Sequence, residues 1–433
     1  MQTQSFKSRL TSFVILAAFV LACSHGQAAD KDENRSPLAS LNELGAGTFS
    51  GKIQALFMRR NYDGQDASSG TLAETLNYRS PALGPLTLKL QYIHATRLFE
   101  GGSLDTANGP AWTILNTDFH VLNEAYINMN FGFLDLPETD LTVGRQVADY
   151  NFAPTYAIRQ KPQAIEAAVV SSEDMIPGLS FELGHIEEFS SWSTRDGGND
   201  HYKASFNEIE DVIADSEGIA SPDTHGMQFV TVSSDVIPRT EMTVYDLYGE
   251  NLYNTFGAKA NVALLESEGL NITWKNHYIM QKDVGDFPTE LDAQTIESAL
   301  AFEKGNLMLQ PGVMTVFGGD GDNNLRHPLE STLTWEYILD WFPRPNLEGS
   351  DSAYLKSTYT FGDTLLYALY FVTDHDRATS GGAFDQELDI VVKHNVTERF
   401  YVTLKAGYGY RDNRAGASNT SREDYRLFVG YKF

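Results

Sequence analysis

Segments of roughly ten residues, in which apolar and polar side chains take turns, recur from Thr48 to Phe433. Leu86, Leu88, Leu90 and Tyr92 are interleaved with Thr87, Lys89 and Gln91. Leu270, Ile272 and Trp274 are interleaved with Asn271, Thr273 and Lys275, and Leu388, Ile390 and Val392 with Glu387, Asp389 and Val391. Tyr425, Leu427, Val429, Tyr431 and Phe433 alternate with Asp424, Arg426, Phe428, Gly430 and Lys432. Successive side chains of a β-strand point to opposite faces, so each segment supplies one apolar face with aromatic ends and one polar face. Two all-β architectures accept that pattern. A soluble sandwich covers its apolar face with a second sheet. A transmembrane barrel turns that face to hydrocarbon and its polar face to a lumen. Strand length separates them, because a membrane crossing takes about 9–11 tilted residues and strands of soluble domains average about five or six. Most segments here reach the longer figure.

The connections point the same way. Strands are predicted near 49–61, 71–80, 85–98, 121–132, 138–147, 164–172, 179–189, 225–235, 239–248, 252–264, 269–281, 292–303, 307–317, 350–361, 364–374, 384–395, 399–411 and 423–433. That is an antiparallel barrel of about eighteen strands, with sixteen as the alternative count. Every second connection is a tight turn, such as Ser80-Pro81-Ala82-Leu83-Gly84-Pro85, Phe361-Gly362-Asp363 or Asn395-Val396-Thr397-Glu398. The connections between these turns are mostly longer and acidic, above all 190–224 and 318–349. Outer-membrane barrels show this asymmetry, with short periplasmic turns and longer extracellular loops. Gly249-Glu250-Asn251 is short where a long loop is due, and residues 331–338 are assigned to a loop because a strand there would break the alternation. An even strand count leaves both ends of the barrel, residues 48–433, on the periplasmic side.

The N-terminal residues 1–28 read as an export signal. Lys7 and Arg9 precede an apolar run from Phe13 to Ala22, and Gly26-Gln27-Ala28 offers a small-x-small cleavage site. A lipoprotein-type cut before Cys23 is the alternative. Residues 29–47 form a short periplasmic segment, and no other stretch approaches the roughly 18 apolar residues of a membrane helix. The chain has one Cys, which leaves no disulfide framework or Cys-rich metal cluster. Its net charge of −26 speaks against a nucleic-acid partner. The terminal aromatic, Phe433, shares the apolar parity of its strand and looks like the sorting signal of outer-membrane barrels.

Charges in mid-strand should face inward, since a Lys or Arg against lipid costs about 2–4 kcal/mol at mid-bilayer. Parity puts Lys89, Glu124, Lys259, Lys275, Lys356, Glu387, Asp389, Lys393, Lys405, Arg411 and Arg426 on the lumen side. Lys393, Lys405, Arg411 and Arg426 are close enough to form a basic track for carboxylates; a wall of mutually satisfied ion pairs is the other reading. The connection at 148–163 is aromatic at its start and basic at its end, with Arg159 and Lys161. Such a loop is expected to fold against the barrel wall as a constriction.

The runs Asn123-Glu124-Ala125-Tyr126 and Leu141-Thr142-Val143-Gly144-Arg145-Gln146, then Arg159-x-x-Pro162-x-x-Ile165-Glu166-Ala167 and Ile176-Pro177-Gly178-Leu179, resemble the OprD family of outer-membrane porins. Ile165 stands where that family's pattern has an aromatic residue, and Ala167 where it has Gly. The resemblance implies an eighteen-stranded channel, monomeric or trimeric, for small carboxylates including amino acids. It implies that the third outer loop forms an eyelet. By transfer, Arg145, Arg159 and Glu166 become constriction residues with Tyr126 on the facing wall, and Glu166 alternatively pins the loop to the barrel. Lys161 and Glu124 complete the candidate pore lining.

The expected function is passive diffusion of small hydrophilic solutes across the bacterial outer membrane, with no cofactor, no metal and no catalytic residue. Lipid and lipopolysaccharide are the expected surroundings. A surface receptor or adhesin is the main alternative, since the long acidic loops include Gly319-Asp320-Gly321-Asp322-Asn323-Asn324, rich in oxygen ligands but lacking the closing Glu of a calcium loop. A barrel hydrolase is the lesser one: His375 lies beside Asp374 and Asp376, yet no Ser occupies a Gly-x-Ser-x-Gly elbow.

Overall fold

The computed structural model describes residues 47–102, 118–153, 159–192, 204–217, 223–319, 323–326, 329, 346–375, 383–413 and 419–433. The export signal expected over 1–28 therefore lies outside the described residues. Eighteen antiparallel strands form the barrel: β1 (Thr48–Tyr62), β2 (Gln65–Arg79), β3 (Leu86–Gly102), β4 (Phe119–Asn130), β5 (Thr139–Val147), β6 (Ala164–Ile176), β7 (Leu179–Ser190), β8 (Met227–Ser234), β9 (Thr240–Gly249), β10 (Tyr253–Glu266), β11 (Asn271–Asp283), β12 (Asp292–Lys304), β13 (Leu307–Gly318), β14 (Asp351–Phe361), β15 (Thr364–Asp374), β16 (Ala383–Asn395), β17 (Phe400–Asn413) and β18 (Thr420–Lys432). Each strand pairs with its sequence neighbours, and β18 returns to β1 with Ile53 opposite Tyr431 and Phe57 opposite Leu427. Closure leaves no unpaired edge, which is what a sheet in hydrocarbon requires. Among the described residues no helix is long and apolar enough to cross a membrane.

The faces follow the alternation. Leu183 and Val313 remain 56% and 58% exposed, with Leu76, Ile127, Leu355, Leu404 and Tyr425 on the same outward face. This belt is apolar side-chain surface that no other described residue covers. The inward face of one sector carries a contiguous cluster that includes Ile165, Ile186, Phe229, Tyr245 and Ile279. Phe433 closes the seam from outside. Its backbone exchanges hydrogen bonds with Gly51 at 2.9 and 3.0 Å, and its ring lies so close that a Cβ at Gly51 would sit 2.5 Å from it.

Two elements depart from the sequence reading. β2 begins at Gln65, not 71, because Asp63 and Gly64 (φ 48° and 83°) make a two-residue left-handed hairpin turn. The first outer connection is thus as tight as a periplasmic one. The stretch 204–217 is not plain loop: Asn207–Glu208 pairs with β7, and α1 (Ile209–Glu217) follows. Ile209, Val212 and Ile213 of α1 join the inward cluster.

Candidate functional site

The connection between β5 and β6 enters the barrel. β5 stops at Val147, and Ala148 N donates to Gln163 O at 3.1 Å, closing the neck of the loop. Tyr150 and Phe152 stack at 5.4 Å, and each ring lies 4.9 Å from Phe229 on β8. Burial holds the Tyr150 phenol well above its ordinary pKa, so it stays protonated and donates to Gln146 Oε1 at 3.2 Å. Residues 154–158 lie outside the described residues.

Polar contacts then tie the loop to distant walls. Lys259 of β10 donates to Asn151 Oδ1 at 3.0 Å. Gln160, fully buried, accepts from Gln54 Nε2 of β1 at 2.9 Å and donates to Thr71 Oγ1 of β2 at 2.7 Å. Gln163 donates to Leu329 O at 3.0 Å, so part of the 318–349 connection also reaches inward. A loop leaving β5 is therefore fastened to β1 and β2 on one side and β10 on the other, which means it bridges the lumen. Arg159 is half-buried beside the Gln160 anchor. Lys161 is buried and donates to Asn123 Oδ1, Pro162 O and Ser190 O at 3.0, 2.9 and 3.4 Å, so it seats the loop base between β4 and β7.

Arg145 and Glu166 are placed elsewhere than the resemblance implied. Gln146 pairs with Ile165 and Gly144 with Ala167, and Ile165 and Ala167 belong to the inward cluster. The residues between them point the other way. Arg145 Nε donates to Glu166 Oε2 at 2.7 Å on the outward face, with Glu188 at 3.6 Å and the Phe206 ring 4.3 Å away. The pairing of opposite charges offsets part of the cost of facing outward. Glu124 and Tyr126 do face inward: Lys89 Nζ is 2.9 Å from Glu124 Oε1 and 5.7 Å from the Tyr126 ring centroid.

The four residues of the expected basic track all share the inward face, with unequal surroundings. Lys393 is exposed near the turn joining β16 to β17. Lys405 lies 5.4 Å over the Phe428 ring and directly across from Arg426. Arg411 grips both oxygens of Asp385. Arg426 grips both oxygens of Asp424 at 2.9 Å, and Arg60 binds the same carboxylate from β1. Asp385, Asp424 and Arg60 are functional neighbours that sequence reasoning left out, although Asp424 carries the same parity as Arg426. Ser350 Oγ lies 2.7 Å from His375 Nδ1, whose Nε2 is 3.1 Å from Asp385. All three are buried and Asp385 is committed to Arg411, so this trio ties loop ends to the rim. Among the described residues no group of three His, Cys, Asp or Glu is spaced to hold a metal ion.

Solved structures share this architecture. OccK2 (OpdF) of Pseudomonas aeruginosa, in complex with glucuronate, superposes with a TM-score of 0.68 at 16% identity, over 89% of this chain and 98% of that one. OpdK of Pseudomonas aeruginosa with vanillate gives 0.68 at 14% identity over 89% and 98%. OccAB4 of Acinetobacter baumannii gives 0.69 at 16% over 90% and 99%. This chain has the fold of these porins. The eighteen-stranded closed barrel expected from the alternation and the resemblance is thereby established, over nearly the whole length of each partner. The sequence matches no protein-family profile and no curated protein.

Proposed function

We propose that the chain is an outer-membrane porin of the OprD type, a passive diffusion channel for small hydrophilic solutes, carboxylates or amino acids foremost. The bridge of Gln160 to Gln54 and Thr71 carries this reading, because it sets a polar, charged loop across a lumen that is otherwise wide enough for water. Two neighbours of the same fold were solved with glucuronate and vanillate, both carboxylates, which supports that solute class. Arg159 on the bridging loop, with Tyr126, Glu124 and Lys89 on one wall and Lys393 and Lys405 on another, lines the passage. Arg411 and Arg426 shape the wall through their carboxylate partners. Selectivity comes from attraction strong enough to draw a solute in and weak enough to release it. Transport needs no cofactor and no bond is made or broken. Lipid and lipopolysaccharide surround the barrel, which works as a monomer or trimer. Reversal potential in a planar bilayer under a salt gradient tests the assignment. Arg159→Glu is expected to move it toward cation preference, and an unchanged value removes Arg159 from the narrowest section.

A further inference from the structure

The barrel closes on itself, yet β4 and β5 pair for only part of their length. From Asn130 opposite Asp140, at the periplasmic end, the ladder climbs to Ala125 opposite Arg145 and stops there. Above that level β4 runs on to Phe119 with β3 as its partner, and β5 runs on to Val147 with β6. From Thr139 to Arg145 the strand advances about 20 Å, which at a tilt of about 35–45° is about 15 Å up an apolar band about 25 Å tall. The seam therefore parts within the hydrocarbon, in the half nearer the outer surface. A sheet in lipid does not leave such a gap open, and side chains fill it here. Lys161 Nζ touches Asn123 Oδ1 of β4 and Ser190 O of β7 at once, although three strand spacings of about 4.8 Å separate those strands in the sheet.

Phe206 is the other filler, and it touches both faces of the wall. On the lumen side its ring packs against an apolar strip formed by Ala73, Ile93, Ala95, Phe119 and Val121. Register gives these residues the inward face: Ala73 stands opposite Gln54 and Ala95, Ala95 opposite Phe119, and Ile93 opposite Val121. On the other side the outward-facing Arg145 holds its guanidinium carbon 4.3 Å from the centre of the same ring. A ring in contact with an inward strip and with an outward arginine stands in the breach itself. Its mount is β7, where Ser190 Oγ donates to Ala204 O at 2.6 Å and Asn207–Glu208 pairs with Phe189 and Glu188. Packing and a cation–π contact hold the ring in the seam, in place of the ladder that joins the strands below. The strip behind it is out of keeping with an outer-membrane barrel, whose interior is polar. Apolar side chains beside a parted seam make a path for hydrocarbon from lumen to lipid once the ring swings aside.

We propose that the upper β4–β5 seam is a side portal, stoppered by Phe206, through which a small amphipathic solute with an apolar chain passes between the lumen and the membrane hydrocarbon. The solute class is that of a medium-chain fatty acid: its chain lies on the strip of Ile93, Phe119 and Val121 and leaves where Phe206 stood. This route is separate from the passage of polar solutes past the bridging loop, and it goes beyond that reading.

Photolabelling of the barrel folded into liposomes tests the route without reference to conduction. Two probes are used: dodecanoate with a diazirine at its chain end, and a phosphatidylcholine with a diazirine at the end of one acyl chain, which reaches the lumen only from the hydrocarbon. Labelled residues are mapped by mass spectrometry, with Leu183 and Val313 of the outward belt as the internal standard. The dodecanoate probe is expected to label Phe119 and Val121 in the wild-type barrel. Phe206→Ala is expected to raise their labelling by the phospholipid probe at least threefold, and Phe206→Leu, which keeps more of the bulk, by a smaller factor. Ion conductance of both variants should stay within twofold of wild type. Phospholipid labelling of Phe119 and Val121 that neither variant raises overturns the portal, and so does a wild-type lumen strip that dodecanoate does not label. A several-fold rise in conductance without a rise in labelling also overturns it, since Phe206 would then line the ionic passage. Labelling that rises as expected in a barrel that passes no current upholds the portal and sinks the channel reading.

Discussion

Replacing Gln160 by Ala should unfasten the bridging loop from β1 and β2. The Gln160 amide is fully buried and used at both ends, accepting from Gln54 at 2.9 Å and donating to Thr71 at 2.7 Å. Each such bond contributes about 0.5–1.5 kcal/mol net; Gln160 Nε2 also reaches Thr71 O at 3.2 Å and Gln54 O at 3.4 Å, so losing the two short bonds alone weakens the fastening by about 1–3 kcal/mol. At 1.4 kcal/mol per factor of ten, the ratio of released to fastened loop rises roughly 5- to 150-fold. The other anchors remain: Lys259 still holds Asn151, and Tyr150 and Phe152 still pack on Phe229. The effect should therefore be local. Hydrogen exchange of the backbone amides at 159–163, read by mass spectrometry on the folded barrel, reports the released fraction directly. Exchange should accelerate by that factor at 159–163 while β1 and β2 keep their protection. Current noise in planar bilayers should rise in parallel as the loop samples the passage. Exchange at 159–163 within twofold of wild type would refute the claim that the hydrogen bonds of the Gln160 amide hold the bridge.

Gly51→Ala places a Cβ 2.5 Å from the Phe433 ring and 2.5 Å from Thr75 O, so the seam must shift at a cost of about 1–3 kcal/mol. The temperature at which the folded band disappears in heat-modifiability gels should fall. Asp424→Asn leaves Arg60 and Arg426, both nearly fully buried, without their shared carboxylate. A loss of about 3–5 kcal/mol is expected, measured as the midpoint shift in denaturant unfolding. Lys259→Met removes the Asn151 contact and keeps the packing over Tyr245; exchange near Asn151 should accelerate with little change in unfolding midpoint.

Alternation made the barrel legible, and its failures are local and physical. Gln65 to Gly70 is a strand built of small and polar residues, so it carried no apolar signal, and its start depended on the turn at Asp63-Gly64. Ile209, Val212 and Ile213 have the i, i+3, i+4 spacing of a helix face inside a stretch taken for acidic loop; one turn of apolar spacing was the available signal. Arg145 and Glu166 show a different failure. They were placed by the resemblance and not by parity: register across β4, β5 and β6 is unbroken there, with Ala125 opposite Arg145 and Arg145 opposite Glu166, so alternation from the exposed Val143 puts Arg145 on the outward face. The resemblance matched the motif around Arg145 and Glu166, and the pleat then decided where those side chains point.

Charge shows most clearly what a single sequence withholds. Parity tells which residues face the lumen, one strand at a time. Pairing depends on register between strands that meet only when the barrel closes: Arg60 and Asp424 are 364 positions apart and share the β1–β18 seam. Before closure they are two unrelated charges; after it they form one buried unit with Arg426, in which two guanidiniums share a single carboxylate and one positive charge is left over. The same holds for Arg411 on Asp385. The field of the C-terminal wall is thus weaker than four cations would make it, since Arg411 and Arg426 are each held by a carboxylate. Reversing charge at Arg426 should then cost stability before it alters ion preference, because its carboxylate is shared with Arg60. Reversing charge at Arg159 should do the opposite, since that side chain belongs to the loop across the lumen and carries no strand of the barrel.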